Sequence, residues 1–347
     1  MSSTILEPVP PGSIDRLGLS SCTATRDGTP RVGTIWLPRS FAAATPVHFH
    51  PLGGNLFLGL FDGYWHTAAP SLTDAGHYVS HTEVPGPVAA LIDAQVGTIS
   101  PVTGQDSYAL SVSAWPGLKL VSASSSFTQL ATLCTTDTLP VLGFWTTTVD
   151  NQLQSRGEFV VPTITADGQD VLFDAGVYID KPWIYLWGRG LEDGRVYTAR
   201  HNISLLGTDR WLYQTADGWV DVSALFDADN PRPATPVSGL STEGPMSTVV
   251  LNGNTYVTTV ATDGDDKVGQ IWASKSMADP WRKVTETVID TGATWTGNGL
   301  MLQPQVPPND TEVGATAAVP WVKTTYDDTE DNEALTVSWG IFAVPRL

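Results

Sequence analysis

Short runs of apolar residues, closed by Gly, Asp, Asn or Pro, recur along the chain, while apolar positions at helical spacing are almost absent. Such runs are typical of the strands of a sandwich, a barrel or a propeller. Two of the turns, Leu251–Asn254 and Thr262–Asp266, contain the Asn-Gly and Asp-Gly dipeptides that favour tight hairpins. The predicted strands are Asn55–Phe61, Ser107–Ala114, Val141–Thr148, Val177–Trp187, Arg195–Arg200, Thr248–Val260, Val268–Ser274, Ala317–Thr324 and Leu335–Val344.

A weak internal repeat favours a propeller over the alternative, a double sandwich. Its unit is a glycine turn, an aromatic-bearing strand and an Asp-x-Trp motif. The copies are Gly194–His201 with Asp209–Trp211, Gly269–Ser276 with Asp279–Trp281, and the poorer Arg31–Arg39. Asp174 and Glu243 are 243 − 174 = 69 residues apart, a spacing that predicts five units in 347 residues. We therefore predict an all-β, five-bladed β-propeller with four-stranded antiparallel blades over residues 21–347, after an N-terminal arm of residues 1–20.

The composition excludes several classes of protein. Hydrophobic residues make up 41% of the chain and charged residues 16%, so the chain can bury a large core and is not disordered. The formal net charge of −18 repels phosphate backbones, so nucleic acid is not an expected partner. No apolar run is long enough to predict a membrane span. Cys22 and Cys134 are expected to be buried thiols, with one bridge between them as the alternative.

Several motifs of known functions are not found in the sequence, and the functions that need them are not expected. Residues 1–12 have neither a basic region nor an apolar run, so no secretory signal is expected. The chain also contains no Gly-rich phosphate loop, no Gly-x-Ser-x-Gly motif and no Cys-x-x-Cys pair. Nucleotide binding, acyl transfer and zinc-finger functions are therefore not expected.

Two segments carry a resemblance to a known family. Residues 173–188, Phe-Asp-Ala-Gly-Val-Tyr-Ile-Asp-Lys-Pro-Trp-Ile-Tyr-Leu-Trp-Gly, resemble the stretch of glycoside hydrolase family 43 that begins Asp-Pro-Ser-Val-Phe and ends Tyr-Leu-x-x-Gly. Residues 242–257, with Glu-Gly-Pro and then Asn-Gly-Asn-Thr-Tyr, are similar to the Glu-Gly-Pro stretch of the same family. Residues 177–219 also resemble related actinobacterial propellers that include endo-D-arabinanases. The resemblance spans residues 172–283 and implies a five-bladed propeller with a sugar-binding funnel.

The resemblance implies a set of three carboxylates. Family 43 enzymes use an Asp as general base, a second Asp that orients and tunes, and a Glu as general acid, on opposite sides of the glycosidic bond. Glu243 matches the general acid and Asp174 the tuning Asp, each expected on the innermost strand of its blade. His50, in His-Pro-Leu-Gly-Gly, stands where the base is expected. The substitute bases are Asp27, Asp62 and Asp106.

Other residues are candidates for binding. His48 and His50 would share one face of a strand and, with Asp62 and His66, could ligate a metal, but a hydrogen-bonded pair is favoured and no metal is predicted. Calcium is an alternative for the acidic runs 263–266 and 327–331, which are more simply exposed turns. Most of the tryptophans are expected in the core. The ligand-binding candidates are His50, Trp65, Trp145, Trp187 and Trp295.

Two functions fit these observations. The first is a glycan-binding or structural propeller displayed on a larger particle, such as a phage tail (virion) protein that contacts host cell-wall polysaccharide. The unidentified base fits this function, and so does the lack of a signal peptide, because virions assemble in the cytoplasm and leave by lysis. The Lys-poor, Trp-rich composition resembles that of actinobacteriophage minor tail proteins, which meet arabinogalactan. The alternative is a glycoside hydrolase that cleaves an arabinan-like furanoside polymer. The expected location is the virion or the extracellular face, with the polysaccharide and other virion proteins as partners.

Overall fold

Nearly all of the regular structure in the computed structural model is β-strand. The structure describes residues 31–36, 43–53, 56–66, 71–72, 78–79, 83–85, 88–93, 98–102, 119–126, 128–136, 139–147, 153–251, 253–264, 266–277, 279–290, 317–327 and 334–344. The prediction of an all-β protein is confirmed. Within these residues no helix is long and apolar enough to cross a membrane.

The described residues fall into two compact units. The first contains those before Val121, those of 147–154 and those after Val288, and the second contains Val121–Thr146 and Ser155–Val288. Whether the chain is one domain over residues 21–347 stays a prediction, and the predicted arm of residues 1–20 lies outside the described residues.

The first unit contains two larger sheets and one hairpin. Its strands are β1 (Arg31–Trp36), β2 (Ala43–Gly53), β3 (Leu56–His66), β4 (Ser71–Leu72), β5 (Tyr78–Val79), β6 (Glu83–Pro85), β7 (Val88–Asp93), β8 (Thr98–Val102), β23 (Ala317–Asp327) and β24 (Ala334–Val344). One sheet has the order β2-β3-β7-β8, with β6 also on β3, another has the order β1-β24-β23, and β4 pairs with β5. The register of β2 on β3 shifts after Pro46 and after Pro51, because proline has no N–H to donate to the ladder.

The second unit consists of three antiparallel sheets in chain order. Their strands are β9 (Lys119–Ser126), β10 (Gln129–Thr135), β11 (Pro140–Thr147), β12 (Leu153–Val160), β13 (Ile164–Ala166), β14 (Gln169–Asp180), β15 (Trp183–Gly190), β16 (Val196–Asn202), β17 (Leu212–Thr215), β18 (Gly218–Asp221), β19 (Thr248–Leu251), β20 (Asn254–Asp263), β21 (Asp266–Ser274) and β22 (Arg282–Asp290). The sheets are β9–β12, β13–β18 and β19–β22, each with consecutive strands adjacent. A 3₁₀ turn, Ile203–Leu205, and a one-turn helix α1, Val222–Leu225, lie between strands.

The predicted four strands per blade hold for two sheets of this unit, while the sheet β13–β18 has six. The predicted strand Val177–Trp187 is in fact two strands, because Lys181 and Pro182 form the turn between β14 and β15.

Hydrogen bonds join the first long strands of the three sheets. The hydroxyls of Ser122 and Ser124 on β9 accept from the backbone N–H groups of Val177 (3.3 Å) and Ile179 (3.1 Å) on β14. The backbone N–H of Met246, just before β19, donates to the carbonyl of Ala175 at 2.6 Å. The three sheets therefore follow one another side by side within this unit, with β14 in the middle.

Strands β14 and β15 are buried on both faces. One core cluster contains Val177, Ile179 and Leu186, and the other contains Tyr178 and Trp187 from the alternate positions. Burial of both faces explains why these strands read as continuous apolar runs instead of alternating ones. Cys134 on β10 is also buried, as expected for a thiol in a core.

Candidate functional site

Asp174 lies in a bulge of β14 and forms an ion pair with Arg189 of β15. The register on β15 changes between Leu172 and Gly176, so that residues 173–175 lie opposite the single residue Gly188. Arg189 donates from Nε to Oδ1 of Asp174 at 3.1 Å and from Nη2 to Oδ2 at 3.0 Å. The Asp174 side chain is 9% exposed and the Arg189 side chain 34% exposed. A bidentate, partly desolvated pair of this kind holds the carboxylate in one orientation.

Glu243 reaches the same arginine through its backbone. Nη1 of Arg189 donates to the carbonyl oxygen of Glu243 at 3.3 Å. The backbone N–H of Glu243 donates to the carbonyl of Val260 on β20, so Glu243 lies beside β20 in the segment that precedes β19. Glu243 was predicted to lie on the innermost strand of a blade, and in the structure it lies in the segment before β19. Asp174 does lie on a strand, β14. Arg189 connects the two predicted positions.

The side chain of Glu243 is exposed and held by a threonine. Its Oε1 accepts from the backbone N–H of Thr262 at 3.1 Å, and its Oε2 accepts from the Thr262 hydroxyl at 2.6 Å. Both carboxylate oxygens thus act as hydrogen-bond acceptors.

A second group of charges lies at the same end of the sheet. Arg195, at the turn that follows β15, forms ion pairs with Asp193 and, at 3.1 Å, with Asp167. The hydroxyl of Tyr197 donates to Asp167 at 3.2 Å. The adjacent Gly194 accepts the backbone N–H of Thr242, which places this group beside the Glu243 segment.

Arg189 binds the two predicted residues together, yet the sequence motifs did not select it. Arg189 and Thr262 are the functional candidates that motif comparison missed. The signal for Arg189 is its place two residues after Trp187 on a strand paired with the Asp174 strand, but its partner depends on the bulge in β14. Spacing along the chain does not predict a bulge.

The three candidates for the general base stay predictions. Asp62 lies on β3 opposite Thr45, in the first unit. Asp27 and Asp106 lie outside the described residues. No general base is identified among the residues that the structure describes at Asp174 and Glu243.

The predicted aromatic platforms include two core residues. Trp187 has no exposed surface, and its indole N–H donates to the Thr248 hydroxyl at 2.8 Å. Trp145 is 4% exposed. An indole buried to this degree offers no face to a sugar, so their assignment as ligand-binding residues is corrected to a role in the core. The side chain of Trp65 on β3 and all of Trp295 are outside the described part of the chain.

His48 and His50 are buried on β2 of the first unit, opposite Leu60 and Leu58. Burial lowers the pKa of His50 to about 4. Burial and, to a smaller extent, the charge of His50 lower the pKa of His48 to about 3. Both imidazoles are therefore neutral at physiological pH.

The described residues contain no group of three or more His, Cys, Asp or Glu side chains arranged to hold a metal ion. In the acidic runs considered for calcium, Asp263 ends β20 and Asp266 begins β21 across a hairpin. Asp327 ends β23, and residues 328–331 lie outside the described residues.

Comparisons with known proteins give structural likeness at low identity. The sequence matches no protein-family model and no curated protein sequence. Among solved structures, the exo-β-1,3-galactanase of Phanerochaete chrysosporium has a TM-score of 0.44 and 10% identity over 85% of this chain, which covers 59% of that enzyme. The α-L-arabinofuranosidase of Podospora anserina has a TM-score of 0.44 and 10% identity, with 94% and 95% of the two chains covered. A GH43_1 enzyme from Xanthomonas citri has a TM-score of 0.40 and 9% identity, with 95% and 92% covered. All three TM-scores are below 0.5, and no property of these enzymes is carried over to this chain.

Proposed function

We propose that this protein is a carbohydrate-binding β-propeller in which Arg189, Glu243 and the neighbouring polar groups contact a polysaccharide. The main support for this proposal is that the guanidinium group of Arg189 binds both the Asp174 carboxylate and the backbone carbonyl of Glu243. The motifs around these two residues resemble the carboxylate-bearing segments of a carbohydrate-active family. Arg189 and Glu243 both have exposed side-chain surface, and their donor and acceptor atoms are suited to sugar hydroxyls.

Binding without hydrolysis agrees best with how the two carboxylates are held. A general acid has to carry a proton that it gives to the leaving oxygen. Glu243 instead accepts hydrogen bonds on both oxygens from Thr262, and Asp174 accepts both of its bonds from Arg189. In both residues the carboxylate oxygens are engaged as acceptors of hydrogen bonds from the protein, which supports a binding role.

The five-bladed architecture is part of the proposal. The described residues contain five sheets of three or more strands. In the second unit, three of these sheets follow one another in chain order with their first long strands hydrogen-bonded, as blades do in a propeller. Strand β1 pairs with β24, so an early strand completes a sheet made of late strands. In the proposed propeller this pairing would close the ring of blades.

We further propose a location on the outside of a larger particle, as a phage tail protein would have, with cell-wall polysaccharide such as arabinogalactan as the partner. The proposal rests on the sequence resemblance and on the net charge of −18, which keeps the surface away from phosphate-rich polymers and leaves neutral glycans as ligands.

The test combines retention and turnover on arabinogalactan and arabinan. The intact protein is expected to be retained on an arabinogalactan matrix and to release no reducing sugar. Glu243→Gln should weaken retention, because the amide replaces an acceptor oxygen with a donor. Asp229→Asn, which removes one exposed carboxylate from the loop after α1, is the control and should be retained like the unmodified protein.

The opposite result would be release of reducing sugar by the unmodified protein that falls by orders of magnitude in Glu243→Gln. That outcome would identify a glycoside hydrolase with Glu243 as general acid. Absence of both retention and release on these polymers would overturn the proposal of a polysaccharide ligand of this class.

A further inference from the structure

A cavity of about 280 Å³ lies in the second unit, between the end of β12 and the loop that leads to β17. Glu158 and Phe159 of β12 line one side, and residues 206–209 line the other. Gly207 closes against the Phe159 ring: its φ is +91°, and a Cβ built there would lie 3.3 Å from Phe159 Cε1. The volume is several times that of a water molecule in the liquid, so the cavity has room for a small organic ligand.

His201 and Trp211 form the inner wall and are 1% and 4% exposed. The two rings pack edge to face with centroids 4.9 Å apart. Nδ1 and Nε2 of His201 each lie 2.9 Å from a backbone carbonyl, of Asn202 and of Thr208. A neutral imidazole has a single N–H, so it donates to one of these two carbonyls, and the ring lies between the backbone of Asn202 and that of Thr208.

The polar groups of the cavity are mainly acceptors. Glu158 and Asp209 contribute carboxylates, and no lysine or arginine is among the residues that line the cavity. Neither carboxylate accepts a hydrogen bond from another described residue. Burial raises the pKa of Glu158, as expected for a carboxylate that is partly desolvated without a compensating donor. The aromatic walls of Phe159 and Trp211 lie beside these two acids.

We propose that this cavity binds a small organic monocation, an ammonium or guanidinium group on a short apolar body. Two carboxylates supply charge-assisted hydrogen bonds, and the aromatic walls supply cation–π and apolar contacts. The net charge of −18 raises the local concentration of cations around the protein and disfavours anions. The residues that line the cavity and the negative net charge of the chain thus both favour a cationic ligand.

The cavity is separate from the site at Asp174 and Glu243. His201 pairs with Ile184 near the start of β15, whereas Arg189 pairs with Val196 near its end. Ile184 and Arg189 are 189 − 184 = 5 positions apart on β15, which corresponds to roughly 16 Å along an extended strand. The inference therefore does not depend on the proposed polysaccharide site, and either one can fail alone.

Titration with benzylammonium, observed by saturation-transfer NMR at pH 8 in low salt, tests the proposal on the full-length chain. Benzyl alcohol has the same ring without the charge and serves as the ligand control. We expect benzylammonium to bind with a dissociation constant on the order of 1 mM and benzyl alcohol at least about tenfold more weakly. N-acetyl-lysine-N-methylamide is titrated in parallel. Tighter binding of this compound than of benzylammonium would indicate a lysine side chain of a partner protein as the ligand, and weaker binding would indicate a free amine.

The protein control is a matched set of charge-neutralising variants. Glu158→Gln with Asp209→Asn should weaken benzylammonium binding by about tenfold or more, and Asp209→Asn alone, at an exposed position, should weaken it measurably without a risk to folding. Glu192→Gln does not line the cavity and should have no effect. Equal binding of benzyl alcohol and benzylammonium, or equal loss in Glu192→Gln, would overturn the proposal, and so would undetectable binding of both cations.

Discussion

Arg189 occupies both carboxylate oxygens of Asp174, and it does so from the neighbouring strand across a bulge. The geometry fixes the buried carboxylate and leaves one guanidinium nitrogen for the Glu243 carbonyl. The arginine therefore has two roles at once: it satisfies a buried charge, and it attaches the segment before β19 to the middle sheet of its unit.

Arg189→Met is expected to destabilise the protein, because it leaves the Asp174 carboxylate buried without its partner. We expect the free energy of unfolding to fall by about 2–3 kcal/mol, less than for a fully buried pair, since the Arg189 side chain is 34% exposed. Guanidinium denaturation measures the change. Arg156→Met is the control, since Arg156 donates to Thr146 at an exposed position and should cost no more than about 0.5 kcal/mol. Equal losses in the two variants would contradict the role of Arg189.

The free energy of unfolding should decrease as the pH is lowered, because His48 and His50 are buried in their neutral forms. In the unfolded chain a histidine takes up a proton near its ordinary pKa of 6.5, while in the folded protein the pKa values are about 3 and about 4. The unfolded state therefore binds more protons below pH 6.5. The contribution to stability is complete above that pH and is lost as the pH falls toward 4, by up to about 1.4 kcal/mol per pH unit for each histidine.

Denaturation midpoints between pH 6.5 and pH 5, where most Asp and Glu side chains stay ionised, measure this slope. His50→Gln removes one of the two groups and should reduce the slope by about half. An unchanged slope in this variant would show that other groups are responsible for the pH dependence.

Gly176→Ala is expected to disturb the contact between β14 and the segment before β19. A Cβ at Gly176 would lie 2.6 Å from the Met246 carbonyl oxygen, which is a backbone atom and cannot move aside as a side chain would. Overpacking of this kind costs about 1–3 kcal/mol in the free energy of unfolding. Gly244→Ala is the matched control, since the nearest atom to its Cβ would be at 3.4 Å, in Val260. Equal stability of both variants, measured by thermal denaturation, would disprove the close approach.

The strands of the second unit were largely predictable from the sequence because turn residues separate them. The Asn-Gly and Asp-Gly turns do connect β19 to β20 and β20 to β21, and Gly253 and Gly264 have the positive φ values that such turns require. The prediction is wrong at the turn between β14 and β15, which it places inside one strand although Asp180, Lys181 and Pro182 interrupt the apolar residues there.

The site was predictable only in part. Motif comparison selected Asp174 and Glu243, and the structure connects both to Arg189, whose pairing depends on a bulge that no spacing rule predicts. Trp187 was named as a ligand-binding candidate, yet it is fully buried. Where both faces of a strand are covered, the apolar pattern carries no information about which face a given side chain occupies.

The pairing of β1 with β24 has a consequence for biosynthesis. Arg31 lies opposite Ile341, so the two strands of this ladder are separated by almost the whole sequence. The ladder cannot form until β24 has left the ribosome, so the edge of β1 that β24 covers stays open while the residues between them are translated. The nascent chain therefore depends on a pairing between residues 341 − 31 = 310 positions apart to protect that edge from association with other chains.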